Sequence, residues 1–131
     1  MRAPSHMPNT KITMDQKKKV LTKAIIRMTE KLNLSRQEMK AIIGSSESSL
    51  SRLFRNTSYL IDPSTKEGQL AILLLRFYKN LDVLFGGNEK QCQLWLRSQN
   101  SHLGGKPIDI ISSIEGLIIV IRYLDAMRGK N

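Results

Sequence analysis

Apolar residues recur along this chain at three- and four-residue spacing in several separate stretches, the period of a helix buried along one face. Val20, Leu21, Ala24, Ile25, Met28 and Leu32 form the first such stripe. It predicts a helix running to about Leu32, with Asp15 as its N-cap and Lys17, Lys18, Lys19, Lys23 and Arg27 mostly on its wet faces. Ser35 and Glu38 have the spacing of a capping box, in which each side chain satisfies the other residue's free backbone N–H. A short helix over Arg36 to Ile43 follows, burying Met39, Ile42 and Ile43. Gly44 permits the left-handed conformation that ends a helix sharply. The next helix starts near Glu47, capped by Ser45 or Ser46, and buries Leu50, Leu53 and Phe54.

Residues 56–68, with Asn56, Asp62, Pro63, Ser64 and Gly68, read as a connector. A strong helix is expected from about Lys66 to Leu84, with Leu70, Leu73, Leu74, Phe77, Leu81 and Leu84 inward. Phe85-Gly86-Gly87-Asn88 breaks it, and a shorter helix spans about Glu89 to Arg97. After a Gly104-Gly105-Lys106-Pro107 loop, the last helix runs from about Ser113 to Met127 on a stripe of Ile114, Leu117, Ile118, Ile121 and Leu124. Ile108 to Ile111 could form a short extended piece, but no strand alternation outcompetes the helical patterns. The expected fold is all-α.

At 131 residues the chain holds one ordinary domain or two very small ones, and 40% hydrophobic residues suffice for a core. Its apolar runs, such as Leu117 to Ile121, are far short of the roughly 20 residues of a membrane span. Residues 1–13 carry Pro4 and Pro8 and no periodicity, and read as a flexible arm. Within them Met1 to Met7 (MRAPSHM) resemble a remnant of an expression vector, with Met7 or Met14 as candidate natural starts. No signal-peptide pattern is present there. The single cysteine, Cys92, excludes an internal disulfide and points to a reducing, cytoplasmic setting, as a structural thiol in a helical pattern. Charge adds an asymmetry to this picture. Residues 1–66 carry 13 Lys or Arg against 5 Asp or Glu, whereas residues 67–131 carry 8 against 6. A basic half joined to a nearly neutral one suggests that one end meets a polyanion, a solubilising charged face being the plainer alternative.

The stretch from Leu34 to Leu53 has the layout of a helix-turn-helix. Ala41 sits where two short helices approach, Gly44 makes the turn, and Leu50 and Leu53 anchor the second helix on the first. Glu47, Ser48, Ser49, Ser51 and Arg52 are then free to meet base edges and sugar-phosphate in a major groove, beside Ser46 at the helix start. Arg52 suits a guanine and Glu47 a cytosine amino group, although Glu47 could simply complement the helix dipole. Arg36, Arg55 and the Lys17–Lys19 cluster are candidates for phosphate contacts. The segment resembles the Xre-type, lambda-repressor-like helix-turn-helix, with its Leu-Ser-x-x-Glu opening, Gly turn and Ser-Arg-Leu finish.

Residues 67–131 carry no pattern of an enzyme. His102 is isolated, the carboxylates are scattered, no ligand spacing suits a metal, and no glycine-rich phosphate loop follows a strand. Neither catalysis nor a cofactor is therefore expected. Trp95 reads as a core anchor of a compact helical unit, and such a unit beside a DNA reader most often serves oligomerisation or partner binding. A homodimer fits DNA, because a two-fold protein reads two half-sites about one helical turn apart.

Phe85-Gly86, Trp95-Leu96, Asn100, Leu103-Gly104-Gly105, Pro107, Ile111, Gly116, Val120 and Leu124 resemble the pattern of the Xre/MbcA/ParS-type antitoxins. Gln99 stands where that family usually has proline, and Ile110-Ile111 where leucines are usual. The resemblance implies a type II antitoxin that neutralises a RES- or ParT-like toxin, an enzyme that consumes NAD or transfers ADP-ribose, and that represses its own operon. It also implies a division into a helix-turn-helix domain over residues 14–62 and a toxin-binding and dimerisation domain over 63–131. Because the family's C-terminal domain meets the toxin and its chain end can block the active-site cleft, Asn100, Arg122, Arg128, Lys130 and Asn131 are the implied toxin contacts. A frayed, solvated terminus is the alternative. Two other functions stay open: a dimeric transcription repressor with no toxin, and an interaction adaptor whose helix-turn-helix has lost DNA.

Overall fold

The computed structural model describes residues 13–55 and 59–129. Among these residues are seven helices and no strand: α1 (Met14–Lys31), α2 (Arg36–Ile43), α3 (Glu47–Phe54), α4 (Lys66–Leu84), α5 (Glu89–Arg97), α6 (Pro107–Ile110) and α7 (Ile114–Met127). The all-α expectation holds, and the bounds of α2, α4 and α5 coincide with those read from the sequence.

Helix α1 is capped two residues earlier than expected. Thr13 rather than Asp15 is the N-cap: the Gln16 N–H donates to Thr13 Oγ1 at 3.2 Å, and the Thr13 N–H donates to Gln16 Oε1 at 2.9 Å. Asp15 lies in the first turn, where its charge complements the helix dipole. Leu21, Ile25, Met28 and Leu32 form the buried stripe, while Val20 is 65% exposed. One residue corresponds to about 100° of rotation, which carries Val20 off that stripe.

The turn between α2 and α3 follows the sequence closely. The Ser35–Glu38 capping box is present, at 2.8 and 3.1 Å. Gly44 ends α2 with φ +78°, a left-handed conformation costly to any side-chain-bearing residue. Ser46 caps α3. Ser45, the alternative cap, is buried and donates its hydroxyl to Glu67.

Helix α4 is the central element and packs on α1, α2, α5 and α7. It buries Ala71, Leu74, Phe77, Asn80 and Leu81, leaving Leu70, Leu73 and Leu84 half-buried. After α3 the chain returns beneath α1, where the Ile61 N–H donates to the buried Thr22 hydroxyl at 2.8 Å. The segment expected to be extended, Ile108 to Ile111, is instead the single helical turn α6. Pro107 sets the first helical φ, and the Ile110 and Ile111 N–H groups donate to the Lys106 and Pro107 carbonyls at 3.2 and 3.0 Å.

Gly116 lets α7 follow at once, since a Cβ there would lie 1.9 Å from the Ile110 carbonyl oxygen. Helix α7 buries Leu117, Val120, Ile121 and Leu124. Ile114 and Ile118 leave the expected stripe, at 51% and 37% exposure, because α4 meets the face centred on Val120. Between α4 and α7 the buried Asn80 donates to Asp125 at 2.8 Å and accepts from the Arg128 guanidinium, and Asp125 also accepts from Arg76 at 3.3 Å. Cys92 is buried and its thiol donates to the Leu81 carbonyl at 3.7 Å. Trp95 is half-buried rather than a full core residue, stacked on Tyr123 with ring centroids 6.5 Å apart. One apolar cluster runs from Leu21 to Leu124 through both halves.

Candidate functional site

Leu50 and Leu53 are buried against the rest of the bundle and hold α3 on it, so the opposite face of α3 meets solvent. Ser46, Glu47, Ser48, Arg52 and Arg55 are exposed there, and Ser49 and Ser51 are half-buried. The Ser46 hydroxyl accepts from the Ser49 N–H at 3.1 Å and lies 3.2 and 3.0 Å from the Ser48 and Ser49 hydroxyls. Three hydroxyls thus cluster at the N-terminus of α3, where free N–H groups and the helix dipole favour anionic oxygens.

A cavity of about 360 Å³ opens between the starts of α2 and α3, lined by Arg36, Gln37, Glu47, Ser48, Leu50 and Ser51. Four residues singled out from the sequence therefore converge on one cleft: Arg36, Glu47, Ser48 and Ser51. The Arg36 guanidinium lies over the Phe54 ring, 5.5 Å from its centroid, and the Arg52 guanidinium lies over Tyr59 at 5.1 Å. Arg55 caps the C-terminus of α3 and points to solvent. Glu47 pairs with Lys40 at 3.5 Å, which partly offsets its negative charge.

Sequence reasoning missed Gln37, Lys40, Tyr59 and Glu67. Gln37 and Lys40 were visible as polar positions on α2. Glu67 and Tyr59 had no local signal. The Tyr59 hydroxyl donates to Glu67 at 2.9 Å, and burial followed by that carboxylate pushes the phenol above its usual pKa.

In the second half, Asn100 organises its own loop. Its side-chain oxygen accepts from the His102 and Leu103 N–H groups at 3.0 and 3.1 Å, and its backbone pairs with Gly105. Arg122 is exposed on α7. The Arg128 guanidinium is engaged with Asn80 rather than projecting as a tail. Lys130 and Asn131 lie outside the described residues. Beside Arg122, Tyr123 gathers the aromatic groups of this half, with Trp95 stacked on it and the His102 ring 6.1 Å away.

The two halves are joined by polar contacts as well as by core. Arg97 on α5 donates to both carboxylate oxygens of Glu38 on α2, at 2.6 and 3.0 Å, and to the Asn33 carbonyl at 2.7 Å. Gln93 donates to the Lys31 carbonyl at 2.8 Å, and Lys31 pairs with Glu89 at 3.5 Å. The Arg97 guanidinium holds the Glu38 carboxyl below the usual carboxylate range, against an opposing effect of burial. Burial pushes the Cys92 thiol up, which disfavours the reactive thiolate.

These features define a helix-turn-helix protein with a second, helical module docked on it. Comparison with protein families makes the class specific. Residues 14–76 match the antitoxin Xre-like helix-turn-helix domain, and residues 80–130 match the antitoxin Xre/MbcA/ParS C-terminal toxin-binding domain. Both domains are present in order and together span nearly all of the chain from residue 14, so the chain belongs to the Xre/MbcA/ParS antitoxin family. A search of curated proteins finds no relative that matches it. Among the described residues no helix is long and apolar enough to cross a membrane.

Proposed function

We propose that this chain binds and neutralises a RES- or ParT-like toxin, which consumes NAD or transfers ADP-ribose, and represses its own operon through the helix-turn-helix. The carrying observation is the match of residues 80–130 to a toxin-binding domain behind a helix-turn-helix whose exposed α3 face gathers hydroxyl and guanidinium groups. Both roles are binding roles, with no catalysis. Residues 14–62 read DNA and residues 63–131 meet the toxin and a second copy, with α4 packed on both parts.

On the DNA side, Arg36 and Arg55 hold phosphates, Ser46, Ser48, Ser49 and Ser51 approach the backbone and base edges, and Glu47 and Arg52 read bases. On the toxin side, Arg122, Lys130 and Asn131 supply positive charge and donors to a site built for pyrophosphate, Arg128 reaches it only by leaving Asn80, and Asn100 shapes the adjoining loop. A homodimer suits palindromic DNA, and exposed Val20, Ile72, Leu94 and Ile119 offer apolar area for association. The protein works in the cytoplasm, in keeping with a single cysteine held as a buried thiol.

Co-expression with the product of the adjacent gene, followed by affinity purification through a tag on this chain, tests the proposal. A stable complex that rescues growth from a toxic neighbour supports it. A harmless neighbour that does not co-purify overturns the toxin half and leaves a DNA-binding repressor.

A further inference from the structure

We infer that Tyr59 and Glu67 are positioning residues that set which base Arg52 reads, an inference that rests on the DNA-binding role proposed above. Helix α3 is bracketed by two residues tied to one carboxylate. Ser45, in the turn before α3, donates its hydroxyl to Glu67, and Tyr59, in the segment after α3, donates its hydroxyl to the other Glu67 oxygen at 2.9 Å. Glu67 itself stands in the first turn of α4, the central helix of the fold. Its position is therefore set by the core, and both ends of α3 are referred to that fixed point.

The Tyr59 ring then carries the Arg52 guanidinium on its face, 5.1 Å from the centroid. Arginine stacks well on an aromatic face, and stacking fixes the plane in which its N–H groups make bidentate bonds. A long side chain held this way has fewer rotamers to lose when it meets a guanine. Tyr59 thus touches the proposed reading face while itself lying outside α3.

The probe for the test is the duplex that the wild-type chain protects upstream of its own gene, together with single base-pair substitutions of it, read by fluorescence anisotropy. Arg52→Ala first identifies the base pair whose preference depends on that side chain. Tyr59→Leu is expected to cut discrimination at that same base pair about tenfold, within the range a bidentate base contact supplies. Preferences at other base pairs stay within about twofold. The double variant of Arg52→Ala and Tyr59→Leu loses no more than Arg52→Ala alone, because both remove one interaction. Tyr59→Phe, which keeps the ring, restores most of the discrimination, and Glu67→Ala falls between the two.

A uniform loss at every base pair, or additive losses in the double variant, means that Tyr59 only supports the fold and overturns the inference while the DNA role stands. If Tyr59→Leu does not fold, Glu67→Ala is judged at the same base pair by the same criteria. A wild-type chain that protects no duplex overturns the DNA role and this inference together.

Discussion

Arg97 grips Glu38 with both arms of its guanidinium, at 2.6 and 3.0 Å, and so ties α5 of the toxin-binding domain to the first helix of the helix-turn-helix. Glu38 is already committed to the Ser35 capping box, so one carboxylate both starts α2 and docks the second half on it. Their side chains are 28% and 37% exposed, which places the pair between a surface ion pair and a buried one.

Arg97→Ala is therefore expected to lower stability by about 1–2 kcal/mol, the scale of charge-assisted hydrogen bonds, with the Asn33 carbonyl left uncapped as well. Lys31→Ala breaks the more exposed pair with Glu89 and should cost under about 0.5 kcal/mol. Urea denaturation of both variants checks the ranking. Equal losses would show that the α5–α2 contact is set by apolar packing alone.

The lowered Glu38 carboxyl has a consequence for acid stability. Its folded pKa lies below the unfolded value of about 4.3, so in the window between them the unfolded chain binds the extra proton. The contribution is present above that unfolded value and is lost as pH falls through the folded one. Asp62, lowered by hydrogen bonds from the Ser64 backbone and hydroxyl, acts in the same direction. Thermal midpoints measured from about pH 6 down to 2.5 should fall for the wild type and fall less steeply for Glu38→Gln. Parallel curves for the two proteins would rule the pair out as a source of acid sensitivity.

Phosphate and base contacts separate by salt. Arg36→Ala and Arg55→Ala are each expected to weaken binding to all duplexes alike and to reduce the slope of log affinity against log salt by about 1. Arg52→Ala should instead cost about 1–3 kcal/mol on the protected duplex and much less on unrelated DNA. Anisotropy titrations at several salt concentrations distinguish the two patterns.

Gly116→Ala puts a methyl group where the Ile110 carbonyl stands, 1.9 Å away, and should destabilise the chain by about 1–3 kcal/mol through forced separation of α6 and α7. Unfolding midpoints measure this directly. A midpoint unchanged from the wild type would mean that α6 shifts freely against α7.

Removing residues 130 and 131 while keeping Arg128, or reversing the charge with Arg122→Glu, is expected to reduce toxin neutralisation and leave DNA retardation unchanged. Growth rescue with the co-expressed toxin reads the first effect and gel retardation the second. Full rescue by both variants would remove the chain end and α7 from the toxin contact.

Much of this molecule was legible in the chain because its signals are local. The Ser35–Glu38 box, Gly44, Ser46 and the Phe85–Asn88 break act across three or four residues, and the backbone answers them wherever the helix goes. The family pattern in the second half is legible for a similar reason: Asn100 and Gly105 shape one short loop, and Gly116 serves one close approach. What lay out of reach was decided between elements far apart in sequence. Val20, Ile114 and Ile118 are apolar at helical spacing, yet their exposure depends on which face α4 covers. Thr13 takes the cap from Asp15 through a reciprocal pair with Gln16, an exception in being local to three residues. The joining of Glu38 to Arg97, of Ser45 and Tyr59 to Glu67, and of Arg128 to Asn80 exists only once α4 and α5 are packed. Periodicity and caps determined the helices, because they are properties of a single helix, while residue motifs carried the family resemblance. Packing alone decided which charged and polar groups became partners, because that depends on the relative placement of two helices, which no single stretch of sequence encodes.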